Sequence, residues 1–391
     1  MRTYLQVFNG GFGKRVVDLK ELVDKVRFVN NQIKVDGVLT GWSEDRDFYN
    51  SLSRELKKEG IKLYFWLPVF SELDHYREFQ NVINYENKEL ETKGFQEGEN
   101  FNFYCVNNRG NIENIKSVVL EKFIDYEVDG FFLDKIRYPS FSNGLKAIFT
   151  CFCDTCVEKM KKENIDVEKL KEEIGKIVKN SEKSKNPFGI EEYKQFRYKF
   201  SNLEINKFFK FKNESIKSSL KELTDFFREK GFEVGFDLYA PHIAYFTGQD
   251  TLELSEIADF IKPMYYRAAY APAGIPYEIS MYSEGFSGTF PEEIKREFFN
   301  IIGETDNKIS DKYVEKEISS LKKEPGVKNV YPGLEFNRIE NIALSDEKYL
   351  KASIESFDMD GADGIVLSWN LMEMPENHLM VYIDYVKQKT K

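Results

Sequence analysis

Three acidic residues each close an apolar run that has the composition of a β-strand. Asp134 ends Gly-Phe-Phe-Leu-Asp, Asp237 ends Val-Gly-Phe-Asp, and Glu335 ends Tyr-Pro-Gly-Leu-Glu. Cleavage of a glycosidic bond needs one carboxylic acid that protonates the leaving oxygen and a second carboxylate that acts as nucleophile or as base for water. We expect Asp134 to be the general acid/base and Glu335 the second carboxylate, with Asp237 as the alternative for either role.

Each of these acids also has a structural interpretation. Asp134 is close in sequence to Arg137 and Glu335 to Arg338, so either acid would form an ion pair, and Asp237 would cap the following turn. Side chains alternate between the two faces of a strand, so Asp237 shares its face with Gly235, and Glu335 shares its face with Gly333. We expect these glycines to leave room for the acids.

Aromatic and basic residues accompany the acids at the predicted strand ends. The chain has 3 Trp, and all of them lie near the ends of predicted strands. Flat rings pack well against the C–H faces of sugars, although core packing is the alternative for each ring. Lys262, inside an apolar run, would bind sugar hydroxyls or pair with an acid. The residues predicted to bind substrate are Trp42, Trp66, Arg137, Tyr138, Tyr239, Lys262, Tyr265 and Trp369; Tyr266 also closes a strand.

The 4 cysteines occur as Cys105 alone and as Cys151, Cys153 and Cys156 in a Cys-x-Cys-x-x-Cys run. Three sulfurs from one tight turn and a fourth from a distant segment suit a tetrahedral zinc site, which would be structural because no coordination position stays open. Two disulfides or simply buried thiols are the alternatives.

Eight apolar runs are separated by charged stretches with helical spacing. This alternation is typical of a (β/α)8 TIM barrel in the α/β class. An open doubly wound sheet is the alternative, but the glycines after the first run, Gly10, Gly11 and Gly13, lack the spacing of a dinucleotide-binding turn. The predicted strands are Thr3–Phe8, Asp36–Trp42, Lys62–Phe70, Asp129–Tyr138, Glu233–Ala240, Ala258–Tyr266, Asn329–Phe336 and Gly361–Trp369. We therefore expect residues 1–391 to form one barrel domain.

Two segments exceed the repeating pattern. Residues 151–213 carry the clustered cysteines, a Lys/Glu-rich helix, turn residues and a second helix rich in Phe and Lys, which predicts an inserted zinc-knuckle and helical subdomain after the fourth strand. Residues 267–280, rich in Ala, Pro and Tyr, have no period and are long for a βα connection, so a lid is expected there.

The charge and hydropathy of the sequence indicate which binding partners to expect. With 66 acidic residues against 56 Lys plus Arg, the formal charge is −10, which disfavours nucleic acid and anionic membranes and favours a neutral or cationic ligand. No apolar run reaches the roughly 18 residues of a membrane helix, and the first apolar run stops at Asn9 without a cleavage site. We expect a cytoplasmic protein.

Two resemblances extend these expectations. The segment from Asp129 to Pro139, Asp-Gly-Phe-Phe-Leu-Asp-Lys-Ile-Arg-Tyr-Pro, resembles a stretch of uncharacterised glycoside-hydrolase-like TIM barrels, as do the later segments 237–241, 248–250 and 261–266. The cysteines resemble the zinc site of glycoside hydrolase family 42 β-galactosidases. That resemblance implies Cys105, Cys151, Cys153 and Cys156 as zinc ligands and Glu335 at the nucleophile position, whereas the family's Asn-Glu pair corresponds to Leu133-Asp134 here.

These observations predict a glycoside hydrolase that acts on a short oligosaccharide, with structural zinc and without an organic cofactor. A carbohydrate-binding barrel that has lost catalysis is the first alternative, since the same aromatic rings would bind a glycan. A lyase or aldolase that uses Lys262 as a Schiff-base amine is the second alternative.

Overall fold

A computed structural model shows a closed barrel of parallel strands surrounded by helices, the (β/α)8 fold that the sequence predicts. It describes residues 1–90, 101–180, 183–286, 290–359 and 361–389. The barrel strands are β1 (Arg2–Phe8), β2 (Gly37–Gly41), β3 (Lys62–Pro68), β4 (Gly130–Asp134), β5 (Glu233–Tyr239), β6 (Phe260–Met264), β7 in two pieces (Asn329–Val330 and Gly333–Glu335) and β8 (Gly364–Ser368).

Each strand pairs in parallel with the next, and β8 closes the barrel by pairing with β1 through Arg2 opposite Gly364. All eight predicted runs contain one of these strands. Buried parallel strands are apolar on both faces, and this property made the runs recognisable in the sequence.

The crossover helices bury one apolar face, and several of them begin at a side-chain cap. Asp18 accepts hydrogen bonds from the amides of Lys20 and Glu21 at the start of the first helix, and Asp45 accepts one from Phe48 at the second. The helices span Leu19–Asn30, Arg46–Lys58, Arg109–Val118, Leu145–Ile148, Asp154–Lys162, Val167–Lys179, Leu203–Arg228, Pro241–Ala244, Thr251–Ile257, Ile275–Glu284, Pro291–Ile302, Asp311–Lys323, Glu347–Met359 and Glu376–Lys389.

Stacked aromatic rings fill the barrel interior below the strand ends. Tyr4 stacks on Tyr331 with ring centroids 4.7 Å apart, and Phe260 lies 5.3 Å from Tyr64 and 5.9 Å from Phe132. A Cβ atom on Gly235 would lie 2.1 Å from the Phe260 ring. Gly235 therefore makes room for this ring and not, as strand alternation predicts, for Asp237.

The segment between β4 and β5 differs in detail from its sequence interpretation. An antiparallel hairpin, Ile190–Lys194 with Arg197–Phe200, occupies part of it, and the Phe- and Lys-rich stretch is the first half of the long helix Leu203–Arg228. Residues 275–280, predicted to continue the loop after β6, belong to the helix Ile275–Glu284 instead. In the described part of the chain, no helix is long and apolar enough to cross a membrane.

Candidate active site

A cavity of about 390 Å³ lies at the carboxyl ends of the barrel strands, the position of the active site in TIM-barrel enzymes. Six of the predicted site residues line it, namely Trp66, Asp134, Arg137, Asp237, Tyr239 and Trp369. The cavity is also lined by residues that the sequence did not predict as site residues, among them Phe8, Phe101, Lys135, Tyr266, Asn370 and Glu373. The cavity thus combines three carboxylates, two cations and several aromatic rings.

Asp134, Asp237 and Lys262 form one row across three neighbouring strands. Leu133 of β4 is the register partner of Phe236 of β5, so the next residues, Asp134 and Asp237, lie side by side. Asp237 is in turn the register partner of Lys262 on β6. Register partners in a sheet point to the same face, and the two acids therefore share the mouth of the barrel.

Two N–H groups orient the Asp134 carboxylate. The Trp66 indole Nε1 donates to Oδ2 at 2.9 Å, and the backbone amide of Lys135 donates to Oδ1 at 2.5 Å. Trp66 thus both lines the cavity and positions the acid. The predicted partner Arg137 forms no ion pair with Asp134 among the described contacts.

Asp237 is buried and ion-paired with Lys262, whose Nζ lies 2.9 Å from Oδ2 and 3.2 Å from Oδ1. Burial raises the pKa of Asp237 to about 7; Lys262 opposes this rise, and the negative charge of Asp134 adds to it. Burial acts to lower the pKa of Lys262, but Asp237 and Tyr266 together outweigh burial and raise that pKa above its ordinary value. Lys262 therefore carries a charge next to a carboxyl group that titrates near neutral pH.

Gly333 on β7 provides the space for the Lys262 side chain. A Cβ atom at this position would lie 2.5 Å from Cε of Lys262. The expectation that Gly333 makes room for Glu335 is therefore wrong. Lys262 itself does not line the cavity, because its ammonium group is buried between Asp237 and the rings of Phe132 and Tyr266.

Arg137 is held between two aromatic rings at the cavity wall. Its guanidinium lies 4.7 Å from the ring centre of Phe103 and 4.6 Å from that of Tyr239, and Nη1 donates to the Tyr138 carbonyl at 3.0 Å. The Tyr239 hydroxyl donates to Oε1 of Glu278 at 3.1 Å. This packing fixes a positive charge and an aromatic face beside Asp237.

Besides Lys262, four predicted catalytic or substrate-binding residues lie outside the cavity. Trp42 is buried against Trp66 and Phe8, and Tyr138 is buried beside the cysteines, with its ring 5.0 Å from Nζ of Lys212. Tyr265 is buried on the outer face of β6 against Phe357. Both tyrosines and Trp42 therefore contribute to packing.

Glu335 is the fourth of these residues. It is fully buried, and its Oε1 accepts hydrogen bonds from the backbone amide of Ala268 at 2.5 Å and from the Tyr349 hydroxyl at 2.9 Å. Its Oε2 has no hydrogen-bond partner in the described part of the chain. Burial raises the pKa of Glu335 to about 7 despite these donors and the nearby charge of Arg267. The carboxylate thus faces the wall that supports the cavity and not the cavity itself.

Lys135 and Glu72 are cavity-side residues that the sequence reasoning missed. They form a buried ion pair, and Nζ of Lys135 lies 4.8 Å from the Trp42 ring centre and 4.3 Å from that of Phe101. Lys135 follows Asp134 directly, so its position just after a strand end could have indicated that it lies near the cavity. Glu72 lies far from it in sequence and offered none.

The four cysteines converge as predicted. Their sulfurs all lie within 4.8 Å of one another, all four are buried and free of disulfides, and Cys105 Sγ is 3.5 Å from both Cys153 Sγ and Cys156 Sγ. Four sulfurs about 2.3 Å from a tetrahedral zinc ion would be separated by about 3.8 Å. The cluster can therefore hold a metal ion, and the disulfide alternative is not what the structure shows.

Polar groups around the cluster point toward its sulfurs. The Asn107 side-chain amide donates to Cys156 at 3.3 Å, and the Ile83 backbone amide donates to Cys151 at 3.4 Å. Hydrogen bonds from the neighbouring thiols hold the pKa of Cys153 well below its ordinary value, whereas burial raises the pKa of Cys151. N–H donors of this kind stabilise thiolate ligands.

A second cavity, of about 640 Å³, lies on the flank of the barrel. Arg267, Phe299, Asp311 and Tyr349 are among its lining residues, and none of the predicted site residues is. The flank cavity is larger than the one at the strand ends, and three aspartates, Asp306, Asp311 and Asp346, line it, but none of them lies on a barrel strand. We therefore place the candidate active site at the strand ends.

Comparison with known proteins extends the fold assignment. No protein-family profile matches the sequence, and no curated protein sequence matches it. The structure is similar to the glycoside hydrolase domain of PgaB (BpsB) from Bordetella bronchiseptica, with a TM-score of 0.60 and 12% identity over 100% of this chain and 98% of that one. The chain shares its fold with glycoside hydrolases.

Alpha-L-fucosidase isoenzyme 2 from Paenibacillus thiaminolyticus is also similar, with a TM-score of 0.52 and 9% identity. That match covers 99% of this chain and 49% of that one, so this chain spans about half the length of the fucosidase. At such low identities the likeness concerns the fold alone. The resemblance to family 42 β-galactosidases stays a prediction.

Proposed function

We propose that this protein is a glycoside hydrolase that cleaves an O-glycosidic bond in a short oligosaccharide, with Asp134 and Asp237 as its carboxylate pair. The observation that carries the proposal is their position side by side at the ends of β4 and β5, in one cavity lined by aromatic rings. Glycosidases of most families use two carboxyl groups that flank the scissile bond. The fold shared with glycoside hydrolases supports the same reaction class.

In this proposal the two acids have different roles because their surroundings differ. Asp237, with a pKa raised to about 7, is protonated in a large fraction of molecules at neutral pH, and this protonated form donates to the leaving oxygen. Asp134, oriented by the Trp66 indole and the Lys135 amide, is the carboxylate that attacks the anomeric carbon or activates water. This assignment differs from the sequence expectation, which made Asp134 the acid and Glu335 its partner.

The two acids account for the proton transfers of the proposed reaction. As the glycosidic C–O bond breaks, the Asp237 proton moves to the departing oxygen, and Asp134 forms the new bond or takes a proton from the attacking water. The Lys262 ammonium then stabilises the Asp237 carboxylate that remains, at 2.9 Å from Oδ2. Arg137 beside the cavity binds sugar hydroxyls in the same proposal.

The aromatic lining supports a carbohydrate substrate. Trp66, Tyr239, Tyr266 and Trp369 present ring faces or edges to one cavity, and the centroids of Tyr266 and Trp369 are 5.8 Å apart. Rings of this kind pack against the C–H faces of pyranoses. A volume of about 390 Å³ suits one or two sugar rings, which favours a short oligosaccharide.

We also propose that Cys105, Cys151, Cys153 and Cys156 bind one structural zinc ion. The sulfur spacing and the N–H donors on Cys151 and Cys156 fit a thiolate site, and four protein ligands leave no position for substrate. The ion would join the segment after β3 to the turn before the helix Asp154–Lys162. Zinc here would hold the scaffold and take no part in bond cleavage.

Hydrolysis of a panel of aryl glycosides and short oligosaccharides tests the proposed function. Asp134→Asn and Asp237→Asn should each lower kcat/KM by about 10²-fold or more on any cleaved substrate whose leaving group needs a proton to depart. Asp24→Asn, an exposed aspartate of the first helix, is the matched control and should leave turnover unchanged. Wild-type turnover that survives both cavity substitutions would refute the assignment, and glycan binding without turnover would favour the non-catalytic barrel.

A further inference from the structure

The wall of the cavity is built partly from the loop that follows β6. The cavity is lined by Ala271, Pro272 and Ala273, which belong to residues 267–274, the β6 loop. Ile339 and Ile342, from the short hairpin after β7, line the cavity next to it.

The first half of the β6 loop, residues 268–270, is paired with that hairpin. Ala269 forms an antiparallel bridge with Ala343, the Tyr270 amide donates to the Ile342 carbonyl at 2.6 Å, and the Leu344 amide donates to the Ala268 carbonyl at 2.9 Å. The start of the loop and the hairpin therefore form one unit, whose inner end is at Arg267 and Ala268. The far end of the loop is held separately by the Ala273 amide, which donates to Oε1 of Glu278 at 3.1 Å.

Glu335 occupies that inner end. Its Oε1 accepts from the Ala268 amide at 2.5 Å and from the Tyr349 hydroxyl at 2.9 Å, and the same hydroxyl accepts from the Arg267 amide at 3.3 Å. Two consecutive backbone amides at the start of the β6 loop are thus attached, directly or through Tyr349, to one carboxylate oxygen. Glu335 is fully buried, so these bonds are shielded from water.

We propose that Glu335 is a positioning residue that holds the β6 loop against the cavity and touches no reacting atom. The inference rests on the proposed function for its catalytic consequence, because the loop residues Ala271, Pro272 and Ala273 would contact the substrate. It assigns to Glu335 a role different from the nucleophile that its place at the end of β7 suggested. The carboxylate acts through the loop backbone, so its acceptor oxygen matters and its negative charge does not.

Three substitutions separate positioning from catalysis. Glu335→Gln keeps an acceptor oxygen for the Ala268 amide and the Tyr349 hydroxyl, whereas Glu335→Ala removes it. Tyr349→Phe removes only the bonds made through the phenol and leaves the Ala268 bond in place. If Glu335→Ala does not fold, Tyr349→Phe tests the same attachment with a smaller change.

Hydrogen–deuterium exchange of peptides that cover residues 266–274 is the first readout, and it requires no substrate. Exchange in Glu335→Ala and in Tyr349→Phe should be at least about fivefold faster than in wild type, while Glu335→Gln exchanges like wild type. Unchanged exchange in both disrupting variants would overturn the proposal. This outcome does not depend on whether the protein hydrolyses a glycoside.

Steady-state kinetics on a cleaved glycoside is the second readout. Glu335→Gln should keep kcat within about threefold of wild type, and Glu335→Ala should raise KM by about tenfold with a smaller effect on kcat. A fall in kcat of about 10³-fold in Glu335→Gln, with unchanged KM and exchange, would make Glu335 a catalytic residue and overturn the positioning role. Absence of turnover by wild type would contradict the proposed function alone.

Discussion

Glu335 gives the stability of this protein a specific dependence on pH. Its folded-state pKa is raised by burial to about 7 from an ordinary value of 4.5, a difference that corresponds to about 3 kcal/mol. Between these two values the folded protein holds a proton that the unfolded chain releases, so stability decreases as the pH rises. The contribution is complete below about pH 4.5 and is lost as the pH rises through about 7.

Replacement of Glu335 by Gln should remove this dependence. We expect the free energy of unfolding of wild type to decrease by about 3 kcal/mol more than that of Glu335→Gln between pH 4.5 and pH 8. In Glu335→Gln the amide nitrogen would be buried at the position of Oε2, which has no hydrogen-bond partner in the described part of the chain. The cost of burying it is the same at every pH, so it does not affect the change in unfolding free energy between two pH values.

Urea unfolding at half-unit pH intervals, followed by tryptophan fluorescence, measures the difference. Glu172→Gln, an exposed position on the helix Val167–Lys179, is the matched control and should follow the wild-type curve. Parallel curves for wild type and Glu335→Gln would refute the reasoning, because a buried carboxyl group with a raised pKa must change proton uptake on unfolding.

Three further predictions concern the two sites. Because Asp237 must be protonated to donate, kcat should fall as the pH rises through about 7, and a rate that is flat from pH 6 to 9 would contradict its role. Elemental analysis should find about one zinc per chain, and Cys105→Ser should lower both the zinc content and the melting temperature; a folded, reduced protein without metal would exclude the zinc site. Gly333→Ala should cost about 1–3 kcal/mol of stability and lower kcat, because the new methyl group would displace Lys262 from Asp237. Gly175→Ala is the control and should not destabilise, because the space around its Cβ is open. Equal unfolding free energies for the two variants would contradict this explanation.

The fold was accessible from the sequence because buried parallel strands leave continuous apolar runs. The same logic placed Asp134 and Asp237 at neighbouring strand ends, since the carboxyl ends of all barrel strands meet at one face. The cysteine spacing predicted their convergence in the same local way. The hairpin 190–200 was missed because its turn consists of Gln195 and Phe196, both with positive φ and neither a usual turn residue.

The direction in which a side chain points could not be predicted from the sequence in the same way. Glu335 shares its predicted face with Gly333, yet its carboxylate binds the amide of Ala268, which is 67 residues away in sequence. Trp42 is buried under the ring of Trp66, and Tyr138 packs beside the cysteines, although both lie at or near strand ends like the residues that line the cavity. Such choices depend on contacts between distant segments, which residue type and alternation do not specify.

The dependence of kcat/KM on the leaving group tests the central claim most directly. Two aryl glycosides of the same cleaved sugar, with dinitrophenol and phenol as leaving groups, are compared for wild type, Asp134→Asn and Asp237→Asn. A good leaving group needs no proton, so Asp237→Asn should lose about 10²-fold or more on the phenyl glycoside and remain near wild type on the dinitrophenyl glycoside, while Asp134→Asn loses activity on both. Equal losses on both substrates in Asp237→Asn, or wild-type activity in Asp134→Asn, would contradict the assigned pair.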